Sequence, residues 1–280
     1  MAWREIIYQY DGSFNGLLCC IYESYTQKEY PTGIVEGEEL LSVFEVRSVV
    51  TDPAHAARVY RSLCRIDAGV GPFLRRAFLT CLPEKELAIY RFVAALYREG
   101  APLLLRLSDP VYHPLLKAVR HLSGEAELLR GFTRFSDFGG VLGGEIEPKN
   151  RILPVLRPHF CERYRNESFF LYDRTHREAL LYAGGSSRIV PLDNFEMALP
   201  DESEAEYRRL WRRFYDTIAI RERENPRLRM SNMPKRYWST MTEFQEDPAP
   251  ERALDGAEAA LPDFLGGTAR NDEKTLDKSE

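Results

Sequence analysis

The chain has 280 residues, of which 44% are hydrophobic, 29% charged and 12% aromatic. That composition supplies a sizeable core, in two compact units by length, and excludes a collagen, a coiled-coil rod, a disulfide-stapled miniprotein and a membrane channel. The net charge of −5 is unevenly spread: ten acidic and four basic residues lie between Glu246 and Glu280, which leaves the preceding body at a net of +1.

The first residues are charged and lead into the strand-like Glu5–Tyr10, so they lack the apolar run of a signal peptide. Asp11-Gly12-Ser13 forms a turn and an N-cap, and Phe14, Leu17, Leu18, Ile21, Tyr22 and Tyr25 recur at helical spacing. The run Leu17–Tyr22 is too short to span a bilayer. Val43–Val46 reads as a second strand. Pro53 then opens the first of three helices, over Pro53–Asp67, Gly71–Cys81 and Glu84–Glu99, the last stopped by Gly100. Asp109-Pro110 starts another, which runs to about Arg130 with Leu115, Val119, Leu122, Ala126 and Leu129 on one stripe.

Beyond it the pattern changes. Phe132–Phe138 and Val141–Glu147 flank Gly139-Gly140 as a hairpin, Ile152–Arg165 reads as a helix, and Ser168–Tyr172 with Glu178–Tyr182 reads as a second hairpin. The predicted class is α+β: a helix-rich body, a small antiparallel sheet of two hairpins around a helix, and a basic C-terminal helix over Glu202–Glu222. Pro226 ends the helical pattern, and an irregular basic and aromatic segment follows to Phe244. The organisation is then a mainly helical region over 1–110, an α+β region over 111–245 and an acidic tail over 246–280. The tail's single aromatic and its prolines predict disorder.

Chemistry is sparsely marked. Five cysteines, an odd number without any C-x-x-C pair, read as reduced thiols in the cytoplasm, with no zinc or iron–sulfur site and no cofactor. Phosphate-loop, zincin and nucleophile-elbow signatures are missing. His121 and Glu125 share a helix face, a spacing that suits a metal or an oriented histidine and equally an ordinary polar pair. Asp137 with Glu147 and Lys149 matches the outline of a metal-dependent nuclease, against which Pro148 argues. His159 has no evident partner.

The strongest local pattern comes late. On the predicted C-terminal helix Tyr207, Leu210, Trp211, Phe214, Tyr215 and Ile218 fall on one side, and Arg208, Arg209, Arg212 and Arg213 on the other. Arg221, Arg223, Arg227, Arg229, Lys235 and Arg236 follow, then Tyr237-Trp238. Arginines suit phosphate backbones and the two aromatics suit base stacking, so DNA is the predicted ligand; a solvated arginine face paired with acidic neighbours is the alternative.

Several segments resemble a bacterial family, the domain of unknown function numbered 4130, associated with DNA metabolism and repair. They are Arg120-His121-Leu122, Leu129-Arg130-Gly131-Phe132, Glu147-Pro148, Arg157-Pro158-His159-Phe160, Asn225-Pro226-Arg227-Leu228 and Met233-Pro234-Lys235-Arg236-Tyr237-Trp238, with Tyr10-Asp11-Gly12-Ser13-Phe14 near the start. The resemblance extends over about Ile6 to Phe244. It implies a companion of a radical S-adenosylmethionine protein that modifies or repairs DNA, and a related domain in that family is fused to a uracil-DNA glycosylase-like domain. No catalytic residues carry over. Three readings therefore stand: a nucleic-acid-binding assistant of a separate enzyme, a DNA-processing enzyme using His121, Glu125, Arg130, Arg134, Asp137 or Glu147, and an adaptor docking through its basic helix.

Overall fold

The structure, a computed structural model, describes residues 3–37, 45–193, 195, 208–210, 213 and 226–244. Its architecture is mixed, with helices packed on two separate sheets. The chain begins with β1 (Arg4–Tyr10), α1 (Phe14–Gln27) and β2 (Glu29–Glu36), then β3 (Val46–Ser48). All pairings in this sheet are parallel and the order is β2-β1-β3. Alternation along β1 buries Ile6, Tyr8 and Tyr10.

Ser13 caps α1 by accepting from the Gly16 N–H, and Asp52 caps α2 (Pro53–Ile66) by accepting from the Ala54 and His55 N–H groups. Next come α3 (Val70–Phe78), α4 (Lys85–Glu99), a 3-10 turn (Ala101–Leu105) and α5 (Tyr112–Phe132). The second sheet holds β4 (Phe135–Asp137), β5 (Val141–Ile146), β6 (Ser168–Asp173), β7 (Glu178–Ala183) and β8 (Ser186–Pro191) in sequential order. The helix α6 (Leu153–Arg163) joins β5 to β6. A short helix α7 (Pro226–Asn232) and two 3-10 turns (Lys235–Thr240 and Thr242–Phe244) follow.

Two hydrophobic clusters share α5. Its first half, with Tyr112, Leu115 and Val119, packs with the parallel sheet and α1–α4. Its second half, with Leu122, Ala126 and Leu129, packs with the five-stranded sheet, α6, Tyr237 and Met241. At about 1.5 Å per residue this helix is roughly 30 Å long, enough to serve both cores.

The second sheet differs from the predicted one in the direction of one pairing and in a fifth strand, β8, added beside β7. Both hairpins form, but β5 and β6 run parallel because α6 carries the chain back across the sheet before β6 begins. Pro226 does not end helical structure; it opens α7, at a position where its missing N–H is harmless. Of the predicted helix over Glu202–Glu222, only 208–210 and 213 are described, all helical; the rest, including Arg212, Arg221 and Arg223, lies outside the described residues, as does the acidic tail. No helix among the described residues is long and apolar enough to cross a membrane.

Candidate functional site

Glu125 organises the surface at the middle of α5. Although charged, it is 2% exposed. Its Oε1 accepts the Lys149 backbone N–H (3.0 Å), and its Oε2 accepts the Asn150 N–H (3.0 Å) and the Asn150 side-chain amide (2.6 Å). The Arg236 guanidinium stands 3.4 Å from Oε1. Three N–H donors and one cation thus compensate the buried carboxylate, as burial of a charge requires.

Asn150 has no freedom left. Its Oδ1 accepts the Cys81 N–H at 3.0 Å, which turns Nδ2 toward Glu125 and toward His121 Nδ1, 3.1 Å away. His121 therefore accepts at Nδ1, and its ring proton sits on Nε2. The pair at i,i+4 is a clamp that fixes the loop after β5 against α5. Among the described residues no group of three His, Cys, Asp or Glu side chains is placed to hold a metal.

Basic and polar side chains surround the clamp. Lys117, Arg120 and His121 are exposed and spaced three and four residues apart, on one face of α5, with exposed Gly124 completing the row. Open space surrounds Gly124. The exposed Lys149 stands beside them because Glu125 holds its N–H, and Arg236 because Glu125 balances its charge. Sequence reasoning missed Lys117 and Arg120; their spacing relative to His121 was the available signal.

The other predicted residues are scattered. Asp137 accepts the Gly140 N–H at 2.7 Å and shapes the β4–β5 turn. It pairs across the ladder with Leu142, near the start of β5, whereas Glu147 lies just past the strand's far end. Five residues of strand separate their levels by roughly 16 Å, so the nuclease outline does not close into one site. Arg134 grips Glu243 with two hydrogen bonds (3.2 and 2.6 Å), tying the last 3-10 turn to the body. Arg130 pairs with Glu127 at 2.5 Å.

In the basic segment, Arg208 donates to Ser136 Oγ, while Arg209, Arg213, Arg227, Lys235 and Arg236 are exposed. Tyr237 is not available for stacking: it is 1% exposed, packs against Phe132 and accepts from Arg236. Burial pushes its hydroxyl pKa up. Trp238 is half-buried. One ring face stacks on Phe244 at 4.5 Å, its Nε1 donates to the Met233 carbonyl (3.1 Å), and Lys235 sits 5.8 Å from its centroid.

The family model described as domain of unknown function, DUF4130, matches residues 83–243. The chain belongs to this family. The match begins just before α4 and takes in α5, the clamp, the five-stranded sheet and Trp238; Tyr10-Asp11-Gly12-Ser13-Phe14 and the parallel sheet lie outside it. No curated protein matches the sequence. A pGpG-specific phosphodiesterase, PggH from Vibrio cholerae, is similar over 64% of this chain and 81% of its own at 10% identity, with a TM-score of 0.32, too low to bear on fold or function.

Proposed function

We propose that the DUF4130 region binds nucleic acid through the basic face of α5 and the neighbouring loop, and that the protein serves DNA metabolism or repair alongside a separate radical S-adenosylmethionine enzyme. The observation that carries the binding reading is that Lys117 and Arg120 on α5 and Lys149 on the loop that Glu125 and Asn150 fix to this helix are all exposed basic side chains, with the polar His121 among them. Arg236 and the loop N–H groups compensate Glu125, so Lys117, Arg120 and Lys149 keep their charge toward solvent. Lysine and arginine rows of this kind neutralise phosphates and release counterions. Lys235 and Arg227 extend the charge along the C-terminal segment. The repair context and the radical enzyme rest on the sequence resemblance alone.

Binding of single- and double-stranded DNA and of RNA, measured against salt, tests the reading. Arg120→Ala and Lys149→Ala are each expected to lower the slope of log affinity against log salt by about 1, across sequences alike. Both residues are exposed surface groups, so stability should stay within about 0.5 kcal/mol. A wild-type protein without salt-sensitive binding to any of the three would overturn it.

A further inference from the structure

A second site lies on the opposite kind of surface, outside the DUF4130 match. A crevice of about 490 Å³ opens at the carboxyl ends of the three parallel strands, lined by Gln9, Tyr10, Asp11, Glu36, Ser48 and Val49 together with Gly37. With the order β2-β1-β3, the strand order reverses at β1, and open parallel sheets bind ligands beyond the carboxyl ends of their strands at such a reversal. The volume falls within the roughly 300–1,000 Å³ of small-molecule pockets.

The hydrogen-bonding state of the walls selects the ligand. Every wall donor with a resolved partner is already committed. Gln9 Nε2 donates to the Gly37 carbonyl, Ser48 Oγ to Gln9 Oε1 (3.4 Å) and Tyr10 OH to Glu86 (3.3 Å). The rim groups Thr51 Oγ1 and Ser13 N–H both donate to Asp11, at 2.8 and 2.9 Å. Those bonds hold the Asp11 carboxyl below the usual carboxylate range despite its partial burial. What remains open is chiefly acceptor capacity, the Glu36 carboxylate and the spare lone pairs of Asp11 and Gln9 Oε1, beside the second N–H of the Gln9 amide.

Two glycines seat these carboxylates. A Cβ on Gly12, whose φ is +74°, would stand 2.4 Å from the Glu36 carboxyl carbon, and a Cβ on Gly16 would stand 2.2 Å from Asp11 Oδ1. The nearby Lys85 stands 4.0 Å from Glu86 and acts on Glu36 as well, so one ammonium faces three carboxylates, those of Asp11, Glu36 and Glu86, and the crevice is negative. A phosphate, the usual guest where a strand leads into a helix, meets carboxylates here instead of free N–H groups. Donor-rich groups that carry no negative charge fit, and Val49 offers them an apolar wall.

We propose that this crevice binds a vicinal diol, that of a ribonucleoside or of a free sugar, with Glu36 and Asp11 accepting from its hydroxyls. The site is independent of the basic face, so its failure and that of the nucleic-acid reading are separable. The test is calorimetric titration of the full chain with adenosine, guanosine, cytidine, uridine, ribose, 2′-deoxyadenosine and adenosine 5′-monophosphate. At least one ribonucleoside or ribose is expected to bind at millimolar concentration or below, and ribose matching the nucleosides would assign the site to free sugars. Loss of one hydroxyl donor to a carboxylate is expected to weaken adenosine binding about tenfold in 2′-deoxyadenosine, and Glu36→Gln to weaken it about tenfold with unchanged melting. The monophosphate should bind more weakly than adenosine, with the gap narrowing as salt rises. Asp11→Asn should weaken binding too. If it also lowers the melting temperature, Glu36→Gln carries the test, since no protein group among the described residues hydrogen-bonds that carboxylate. Absence of binding by all the nucleosides and ribose, a monophosphate that binds more tightly than adenosine, or an unaffected Glu36→Gln would overturn the proposal.

Discussion

Among the described residues each half of the molecule buries a glutamate, Glu29 in the first and Glu125 in the second, and the two are held in different ways. Glu29, on the edge strand of the parallel sheet, is 3% exposed and sits between two guanidiniums, Arg4 at 3.1 Å and Arg47 at 3.0 Å, with the Tyr8 hydroxyl donating at 3.0 Å. Burial and the Glu29 contact push the Tyr8 pKa up, so that hydroxyl stays a donor. Glu125 is held chiefly by the backbone N–H groups of a loop and by an amide. Side chains compensate the first and chain path compensates the second. The consequence is visible at the surface: Arg4 and Arg47 spend their charge on Glu29, whereas Lys149 keeps its own because only its backbone is engaged.

Glu125→Ala should show the largest effect. It leaves two backbone N–H groups, an amide and a guanidinium without their acceptor, and breaking a buried charged contact in this way costs about 3–5 kcal/mol. Urea denaturation should give that loss, and the loop carrying Lys149 should exchange its amide hydrogens faster. Glu29→Ala should cost less, about 1–3 kcal/mol, because Arg4 and Arg47 are 53% and 35% exposed and turn to water, leaving mainly the Tyr8 hydroxyl unsatisfied. Equal losses would mean that chain path and side-chain pairing are interchangeable here, and the contrast would fall.

The adjacent aromatics of the DUF4130 region separate in the same manner. Tyr237→Ala removes a side chain from the second core and should cost about 3–5 kcal/mol without any ligand present. Trp238→Ala loses a stacked neighbour, Phe244, and one hydrogen bond, and should cost about 1–2 kcal/mol. Thermal melts of both variants in the absence of DNA check this. A Trp238→Ala protein that melts like the wild type would return the ring to the surface and restore it as a base-stacking residue.

Much of this was legible in the sequence, and what was not has physical reasons. Apolar spacing located α1 and α5, and the Pro53 start and Gly100 stop bracketed α2 to α4 to within a few residues. β2 was missed because Pro31 and Gly33 argue against a strand; it forms as an edge strand, and its register slips at Thr32, where Ile6 pairs with Pro31 but Ile7 with Gly33. β8 buries none of its residues, so it carries no burial pattern to read. The parallel β5–β6 pairing is a property of the α6 crossover and of no local residue. At the site, the His121–Glu125 spacing was visible, but its meaning depended on Asn150, 25 residues beyond Glu125, and a contact at that separation leaves no local mark. The row Lys117, Arg120, His121 was within reach of periodicity and was passed over because the later arginine run is denser.

The smallest expected effect is a pH dependence carried by His159 on α6. Among the described residues its buried Nε2 has no hydrogen-bond partner, nor does Nε of the nearby Arg130. Burial, and then the charges of Arg130 and Arg163, lower its pKa. In the unfolded chain the same imidazole titrates near 6.5. Between that value and the lower folded one, the unfolded state binds more protons than the folded state, so stability rises with pH across the interval. Acidifying the protein from neutrality should therefore weaken it as the pH passes below about 6.5, with this contribution levelling off once the folded histidine is protonated too. His159→Gln keeps a polar side chain of similar length but cannot titrate, and its urea midpoint should change less over the same interval than that of the wild type. If both proteins trace the same slope, the imidazole is solvated in the folded state, and the α5–α6 seam does not impose on its histidine the desolvation that Glu125 withstands on α5.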